Sequence, residues 1–465
     1  MKTLKLGDRV FVVESRGAWY LINTLPFTIY HLPEADSFEA AARFGQETLK
    51  EGALPLAMPA GFGEYEGFYA LEFVMTTKCN LRCTHCCART EGSDTFYGYS
   101  SADLDQNTIK ATCDYAIREL TTSLKQTPKE TALFKVFITG GEPLLNWSNV
   151  KYALDYLRGE LQSLQNRTGV KTTFVAHIVS NGCNITGEIA AYIAEHGILI
   201  TISLDTPIHQ IRVDSAGRPA TPKAIEGLFS LLAAGCKTAS VNLVVPGEKI
   251  YQVDEMMEYL RAFGFFEKIT TIQMSPLAPP IHETVFAGKG KQAKLTGYRA
   301  KANCQHFAHK LIEYSDRFSL DMKLYARKLR SNVKQGGFVY RCPGAQWKWC
   351  VVPGGDVFAC HQLVNLDSFK MGNIHQLDAA GTLGQQMQAV QQKFRERTVF
   401  KASPCHDCVL QTICMVFVDC PARSWLECGD LYQVPQHYCD CAKEYLEKIL
   451  EDFISEQERA TDLCE

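Results

Sequence analysis

The sequence predicts an α/β fold built on parallel strands, and three observations support this prediction. Between Tyr69 and about Pro280, short β-rich runs alternate with longer amphipathic stretches of helical spacing. Several of the amphipathic stretches end in the glycine that commonly follows a helix terminus. Polar or glycine-rich residues directly follow four of the β-rich runs. Strands joined by helices are parallel, so the expected architecture is an open doubly wound sheet or a full or partial barrel.

Six candidate strands and five helical patterns make up this region. The helical patterns read TIKATCDYAIRELTTSL, VKYALDYLRGEL, GEIAAYIAEHG, PKAIEGLFSLLAAG and YQVDEMMEYLRAFG. In parallel α/β folds, ligands bind at the carboxyl ends of the strands. The predicted strands are Tyr69–Met75, Leu133–Thr139, Thr172–Ser180, Ile198–Leu204, Thr238–Val245 and Ile269–Met274.

The residues that follow the first four strands indicate where the site lies. The run KCNLRCTHCC begins at Lys78, behind the first strand, and GGEP occupies Gly140–Pro143 behind the second. SNG at Ser180–Gly182 follows the third strand, and Asp205 follows the fourth. Because the carboxyl ends of parallel strands meet at one edge, these four segments are expected to converge on one site.

The overall composition excludes several classes of protein. The chain has 465 residues, of which 46% are hydrophobic, so a large buried core and two or three domains are expected. A formal net charge of -3 offers no bulk attraction for nucleic acid or an anionic membrane. We find no segment with the apolar core of a signal peptide or a membrane span. We therefore expect a cytoplasmic protein with no nucleic-acid or membrane partner.

The 19 cysteines fall mainly into two groups. Disulfides are uncommon in a reducing cytoplasm, so clustered thiols are better explained as metal ligands or reactive groups. Cys79, Cys83 and Cys86 have the spacing C-x3-C-x2-C, which can place three thiolates around one soft metal centre. Three ligands leave an open coordination position, whereas a closed zinc site or an ordinary iron–sulfur cluster uses four. Cys87 could be the fourth, but we interpret it as a packing residue because adjacent residues rarely reach the same metal.

With GGEP behind the second strand, CNLRCTHC resembles the cysteine loop of radical S-adenosylmethionine (SAM) enzymes. The resemblance implies a partial (β/α)6 barrel and a [4Fe-4S] cluster held by the three cysteines, with SAM chelating the remaining iron. It also implies reductive cleavage of SAM and hydrogen-atom abstraction by a 5′-deoxyadenosyl radical, while the protein orients the substrate. A zinc knuckle is the structural alternative.

The resemblance also implies which residues bind the cofactor. Gly140, Gly141 and Glu142, followed by Pro143, match the segment that contacts the SAM amino group. Arg212, in the sequence IHQIR, is a candidate for binding the substrate carboxylate, although it lies one place earlier than in the family pattern I-H-D-x-x-R. A solvated surface arginine is the alternative. Four further residues match positions near the ribose and the methionine carboxylate of SAM: Ser180, Asn181, Ser203 and Asp205. Each of them could instead cap a helix.

The second group of cysteines resembles the SPASM extension of radical SAM enzymes, in which seven or eight cysteines hold two auxiliary [4Fe-4S] clusters. The match is good in GGDVFACH, where a predicted β-hairpin presents Cys360, and in MGNI at Met371–Ile374. It weakens before Cys420, because the family spacing C-x2-C-x5-C-x3-C becomes x2, x5 and x5. Cys428 and Cys441 are alternate ligands for these clusters. A zinc-ribbon-like module or a single auxiliary cluster is the alternative to two auxiliary clusters. The resemblance assigns to the nearer auxiliary cluster Cys342, Cys350, Cys360 and Cys420, and to the farther one Cys405, Cys408, Cys414 and Cys439.

Family members with this extension mostly modify peptides or proteins. We therefore expect maturation of a ribosomally synthesised precursor peptide through a thioether or carbon–carbon crosslink, with a flavodoxin or ferredoxin as electron donor. The alternative is formylglycine formation, as in anaerobic sulfatase maturases, which place an Asp base where this chain has His361. A non-catalytic iron–sulfur electron-transfer protein is a further alternative, but it would not need GGEP. Position alone makes His361, Asp356 and Asp419 candidate acids or bases.

The predicted domain organisation has five segments. Residues 1–67 form an N-terminal extension with three short strands and a helix, which resembles leader-peptide recognition modules. A capping subdomain without a ligand is the alternative, and strand addition to the sheet edge is the expected mode of peptide binding. The other segments are a radical SAM core at 68–280, a helical bridge at 281–340, a SPASM domain at 341–445 and a C-terminal helix at 446–465.

Overall fold

The computed structural model describes residues 2–50, 68–276, 321–322 and 342–436, with short internal gaps, and residues 439, 450, 451 and 454. The chain forms two compact units. Unit 1 comprises Met1–Glu64, Leu324–Cys342 and Arg395–Glu465, and unit 2 comprises Tyr65–Lys323 and Pro343–Phe394.

Unit 1 begins with an antiparallel sheet in which each strand pairs with the next along the chain. Three of the four strands, and the helix that follows them, were expected from the sequence. The additional first strand reads KTLK, which is too short and too polar to give a strong strand signal. The elements are β1 (Lys2–Lys5), β2 (Val10–Ser15), β3 (Ala18–Thr24), β4 (Phe27–His31) and helix α1 (Phe38–Lys50).

The two faces of this sheet have different neighbours, because successive side chains of a strand point to opposite sides. Val12 and Leu21 lie on one face, in an apolar cluster with Ala41 of α1. Val13 and Ile22 lie on the other face, in a cluster with the cysteine-rich segment of the same unit. The N-terminal sheet is therefore covered on both faces within unit 1.

Unit 2 is built on a sheet whose central six strands are parallel and follow chain order. One helix connects each strand to the next, as the sequence predicts, with element ends shifted by a few residues. The strands are β5 (Phe68–Val74), β6 (Thr131–Thr139), β7 (Lys171–Ser180), β8 (Leu199–Ser203), β9 (Ala239–Val245) and β10 (Thr271–Pro276). The helices are α2 (Gln106–Gln126), α3 (Trp147–Thr168), α4 (Gly187–Glu195), α5 (Thr221–Ala233) and α6 (Val253–Ala262).

This strand order decides between the two expected architectures. A doubly wound sheet reverses its order at a switch point, whereas β5 to β10 follow one another without reversal. Right-handed crossovers then place all five helices on the same face of the sheet, as in a barrel. The sheet continues beyond both ends of this series with strands from later parts of the chain. The fold is therefore a partial (β/α)6 barrel, which confirms the predicted fold class.

Four further strands extend this sheet, and only their hairpin was predicted. They are β11 (Asp321–Met322), β12 (Lys348–Val351), β13 (Asp356–Phe358) and β14 (Lys370–Asn373), with helix α7 (Gly384–Glu396) after them. β11 pairs with β10, and β12 pairs in parallel with β5. The antiparallel β12–β13 hairpin turns at Gly354 and Gly355, whose φ angles of 89° and 85° favour glycine.

In unit 1, helix α8 (Pro421–Cys428) lies within the cysteine-rich segment. The five-segment division of the chain stays a prediction. Most of the predicted bridge at 281–340 and most of the predicted helix at 446–465 lie outside the described residues. Within the described ranges, no helix combines the length and the apolar character needed to cross a bilayer.

Candidate active site

The cysteine loop begins where β5 ends, and its backbone is fixed within unit 2. Leu81 is buried and forms a β-bridge with Asp214. The Arg82 N–H donates to the carbonyl of Val213 at 2.6 Å. The Leu81 N–H also donates to the sulfur of Cys79, at 3.4 Å. The residues between the first two cysteines therefore anchor the loop that carries the thiols.

The glycines behind β6 lie directly against this loop. The Gly141 N–H donates to the Thr76 carbonyl, and the Glu142 N–H donates to the Lys78 carbonyl, both at 2.8 Å. Gly140 has a φ of 151°, in the region that favours glycine. A Cβ atom added to Gly141 would lie 2.2 Å from the Lys78 carbonyl oxygen. The second strand end can therefore approach the cysteine loop only if this residue is glycine.

Glu142 connects the second strand end to the third. Its carboxylate accepts hydrogen bonds from the Ser180 hydroxyl at 2.8 Å, the Asn181 N–H at 2.7 Å and the Leu144 N–H at 3.1 Å. The side chain is buried. Burial raises the pKa of Glu142 to about 7, and the three hydrogen bonds oppose this shift.

Asn181 connects the third strand end to the cysteine loop. Its amide nitrogen donates to the Asn80 side-chain oxygen at 2.8 Å and lies 4.0 Å from the Cys79 sulfur. The Asn80 amide donates in turn to Asn184, at 3.2 Å. Three of the four predicted strand ends therefore meet around Cys79.

Asp205, at the fourth strand end, forms a buried ion pair with Arg212. Its second oxygen accepts the N–H of Ile211 at 2.8 Å and that of Arg212 at 2.7 Å. Burial raises the pKa of Cys83 to about 12, and the nearby Arg212 charge opposes this shift. The fourth end therefore also lies beside the cysteine loop. Because Arg212 is buried, it is not a solvated surface arginine, which was the alternative interpretation. Its role in binding a ligand stays a prediction.

The remaining predicted cofactor-binding residues lie at the same strand ends. Ser203 is the last residue of β8, partly buried and opposite Asn242 of β9. Pro143 is buried at the start of a 3-10 turn. In that turn, the Asn146 amide donates to the Met75 carbonyl at 2.8 Å. Pro143 therefore shapes the segment that carries Glu142, while the predicted role of Ser203 is not tested by these contacts.

The chemistry of the loop fits a cluster with three thiolate ligands. Cys79, Cys83 and Cys86 are partly buried sulfurs on one short loop, with the two glycines packed against it. Burial raises the pKa of Cys79 to about 12, so its thiol holds its proton until a metal displaces it. Cys87 lies outside the described residues. Within the described parts of the chain, no three His, Cys, Asp or Glu side chains surround a site for a single metal ion.

The four cysteines assigned to the farther auxiliary cluster all lie in unit 1. Cys405 is buried in the apolar cluster formed with the N-terminal sheet. Cys408, Cys414 and Cys439 are partly buried and pack against the same cluster. The structure thus brings these four residues into one neighbourhood, and their ligation stays a prediction.

The four cysteines assigned to the nearer auxiliary cluster are divided between the units: Cys342 and Cys420 belong to unit 1, and Cys350 and Cys360 to unit 2. Cys350 is buried on β12, and Cys360 follows β13. Of the two alternates, Cys428 is exposed at the end of α8, and Cys441 lies outside the described residues.

The candidate acids and bases have different surroundings. His361 Nδ1 lies 2.7 Å from a carboxylate oxygen of Glu72. Asp356 pairs with Lys370 at 2.9 Å and accepts hydrogen bonds from Asn373 and from the Tyr99 hydroxyl. These contacts connect Asp356 of β13 to β14 and to Tyr99. Asp419 lies outside the described residues.

Sequence reasoning missed the ion pair between the buried Glu72 and the partly buried Lys348, at 3.0 Å. Burial alone would raise the pKa of Glu72, but His361 and Lys348 hold it well below its usual value. The available signal was a single carboxylate within the apolar run FYALEFVM. A charged residue in a buried strand needs a partner, but the sequence does not say which.

Comparison with known proteins finds a matching family model, related sequences and a solved structure with a similar fold. Residues 73–260 match the model of the Radical SAM superfamily. Mycofactocin maturase MftC of Mycobacterium ulcerans is 24% identical over 310 residues, covering 65% of this chain and 71% of that protein. Radical SAM cyclopropyl synthase TigE of Paramaledivibacter caminithermalis is 21% identical over 397 residues, covering 83% of this chain and 75% of that protein. The solved structure "Native anSMEcpe with bound AdoMet" has a TM-score of 0.63 at 16% identity, covering 84% of this chain and 99% of that chain.

The partial barrel and its cysteine loop thus define a radical SAM domain at residues 73–260, and the protein is a radical SAM enzyme. The chain is homologous to mycofactocin maturase MftC and shares the fold of the anSMEcpe structure. This domain implies one [4Fe-4S] cluster and bound SAM, and the cysteine-rich C-terminal part fits a SPASM extension. The predicted class of enzyme is confirmed.

Proposed function

We propose that this enzyme is a SPASM-type maturase that modifies a ribosomally synthesised peptide by forming a thioether or carbon–carbon crosslink. The observation that carries the proposal is the homology of the chain to a mycofactocin maturase and a radical SAM cyclopropyl synthase. Both names describe an enzyme that makes a product, so they do not support a non-catalytic electron-transfer protein. The three hydrogen-bonded strand ends around Cys79 support a SAM site at this place in the fold.

In this proposal, Cys79, Cys83 and Cys86 hold the cluster that cleaves SAM. Gly141 allows the second strand end to approach that loop, and Glu142 offers a buried carboxylate. No lysine, arginine or histidine of the described residues forms an ion pair with Glu142, and its pKa is raised to about 7. A cationic ligand group such as the SAM ammonium would compensate this buried charge.

When bound, the cluster would supply the electron that cleaves SAM to a 5′-deoxyadenosyl radical for hydrogen-atom abstraction, and two auxiliary clusters would accept the electron that the peptide then loses. The proposed ligands of the auxiliary clusters are the eight cysteines assigned above. Arg212 and Asp205 neutralise each other, so this pair adds no net charge beside Cys83. The chain's own task is to orient the peptide and to exclude competing reactions.

Two measurements test the proposed function. The reduced, reconstituted enzyme should release 5′-deoxyadenosine from SAM, and the variant Cys79→Ala/Cys83→Ala/Cys86→Ala should not. Coexpression with candidate precursor peptides should yield a peptide whose mass has decreased by the hydrogen atoms lost for each crosslink. A wild-type enzyme that cleaves SAM but leaves every peptide unchanged would contradict the peptide assignment.

Formylglycine formation is the second candidate function, and the fold shared with anSMEcpe keeps it open. The residue after Cys360 is His361 instead of the aspartate base, and its Nδ1 lies 2.7 Å from a carboxylate oxygen of Glu72. Oxidation of a cysteine would replace sulfur by oxygen, and oxidation of a serine would remove two hydrogen atoms, but both would leave an aldehyde that a crosslink does not form. Mass analysis of the modified residue combined with an aldehyde-reactive probe therefore distinguishes the two functions.

We further propose that the enzyme works in the cytoplasm, with a flavodoxin or ferredoxin as electron donor.

Peptide recognition by the N-terminal sheet would have to use a strand edge, because both faces are covered within unit 1. Of the two edge strands, β1 already carries Lys5, which is bound to Asp407 and to the His406 carbonyl. The β4 edge (Phe27–His31) is therefore the preferred candidate.

A further inference from the structure

One buried carboxylate of unit 2 has no role in the site described so far. Glu72 lies in the middle of β5, and its side chain is 2% exposed. Its oxygens lie 3.0 Å from the Lys348 ammonium and 2.7 Å from His361 Nδ1. It also accepts the backbone N–H of His361 at 3.1 Å. These contacts are to two short segments that lie far from β5 in the sequence.

Both segments carry cysteines assigned to the nearer auxiliary cluster. Lys348 precedes Cys350 on β12, on the same side of the strand, and His361 directly follows Cys360. Cys350 also lies opposite Glu72 in the parallel pairing of β12 with β5. One carboxylate of the first barrel strand therefore fixes both cysteine-bearing segments.

The Lys348 ammonium has a second neighbour besides Glu72. It lies 4.9 Å from the centre of the Phe137 ring. Lys348 is thus held between a carboxylate and an aromatic ring, two residues before Cys350.

Stability alone is a weak explanation for this arrangement. The cost of removing charges from water often matches or exceeds their attraction, so a buried ion pair contributes little net stability compared with apolar residues. A buried charge does act strongly on its neighbours, because the low local dielectric screens it little. The arrangement therefore suits a role in setting geometry and charge at the cysteines.

We propose that Glu72 is a positioning residue for the nearer auxiliary cluster: it holds Lys348 and His361, and through them it fixes Cys350 and Cys360 and sets the charge beside them. The inference rests on the proposed function, because it requires that these cysteines ligate iron. Part of the support of an auxiliary cluster would then come from β5, the first strand of the partial barrel.

The test uses the full chain with the substitutions Cys79→Ala/Cys83→Ala/Cys86→Ala, so that only auxiliary clusters contribute to the signal. Glu72→Gln in this background removes a buried negative charge but keeps Lys348. We expect the midpoint potential of one auxiliary cluster to become more positive and its electron paramagnetic resonance signal to change, with the second cluster unaffected. Glu142→Gln is the matched control, because Glu142 is equally buried in the same unit but lies at the SAM site.

A charge effect can be separated from a damaged fold with Glu72→Gln/Lys348→Met. This double substitution restores the charge balance, so the potential should return towards that of the background protein. If Glu72→Gln leaves both potentials and both signals unchanged, or if the double variant shows no reversal, the inference is wrong. If the background protein binds no iron at all, the auxiliary clusters of the proposed function are refuted, and the inference is refuted with them.

Discussion

Gly141 shows how a single residue shapes the proposed SAM site. An added Cβ would lie 2.2 Å from the Lys78 carbonyl oxygen and 2.7 Å from its carbon, and a backbone cannot give way as a flexible side chain can. We expect Gly141→Ala to displace the cysteine loop, to destabilise the protein by about 1–3 kcal/mol as over-packing does, and to lower both the iron content and the affinity for SAM. Iron analysis and calorimetric titration with SAM measure these effects.

Gly159→Ala is the matched control for this substitution. Gly159 lies within α3, and an added Cβ would contact nothing within 4 Å. Alanine there should stabilise the helix by up to about 1 kcal/mol and leave iron and SAM binding unchanged. Equal iron content and equal SAM affinity in the two variants would show that the close approach of Gly141 is unimportant.

Glu142 should give the metal-free protein a measurable pH dependence. Its ordinary pKa is 4.5, and folding raises it to about 7, so the unfolded chain loses the proton first as the pH rises. The contribution of Glu142 to stability is therefore fully present below about pH 4.5 and is lost as the pH rises to about 7. At about 1.4 kcal/mol per pKa unit, the loss is on the order of 3 kcal/mol.

The variant Glu142→Gln isolates this effect because it cannot ionise. The wild type should be more stable than the variant at low pH, and this difference should shrink as the pH rises through the same range. Denaturant unfolding of both proteins at several pH values gives the difference. A stability difference that does not change with pH would mean that the carboxyl of Glu142 titrates normally.

At this scale, the residues of the candidate site are easier to find in the sequence than the residues that support them. The three thiols, GGEP and Asn181 could be found because they occur at short fixed spacings, and the structure places them together. Glu72 could not be assigned a role, because its partners Lys348 and His361 lie on segments remote in sequence. Their proximity follows from the pairing of β12 with β5, which has no local signal.

At the scale of elements, the N-terminal sheet supports the cysteine-rich segment of unit 1 on one face only. Ile22 and Leu21 are neighbours on β3 with almost no exposure, but Ile22 packs towards the cysteines and Leu21 towards α1. Truncating either side chain to alanine should cost about 2–5 kcal/mol. We expect Ile22→Ala alone to lower the iron held by the farther cluster.

Iron analysis of Ile22→Ala and Leu21→Ala in the Cys79→Ala/Cys83→Ala/Cys86→Ala background checks this prediction. The two variants should have similar unfolding midpoints, which makes Leu21→Ala the control for general destabilisation. Equal iron loss in both would show that the sheet face against the cysteines has no special role.

The elements of the barrel were predictable because their signal is local. Each strand is a short apolar run, each helix has a 3.6-residue period, and their alternation implies parallel strands. The choice between a doubly wound sheet and a partial barrel needed the observed strand order. β1 was missed because it is short and polar. The pairing of β12 with β5 was missed because the two strands lie far apart in the sequence.

At the scale of the whole molecule, the chain consists of two compact units, each containing part of the second cysteine group. Unit 2 contains the radical SAM site, together with Cys350 and Cys360. Unit 1 contains the four cysteines assigned to the farther cluster, packed against the N-terminal sheet. The central claim is that this enzyme holds two auxiliary clusters beside the one that cleaves SAM.

The most direct test of that claim is the content of iron, sulfide and zinc per chain after anaerobic reconstitution. We predict about twelve irons, a matching amount of sulfide and no zinc in the wild type, because each cluster holds four irons. The variant Cys79→Ala/Cys83→Ala/Cys86→Ala should retain about eight irons. About four irons in the wild type, and almost none in the variant, would leave a radical SAM enzyme without auxiliary clusters and would contradict the account.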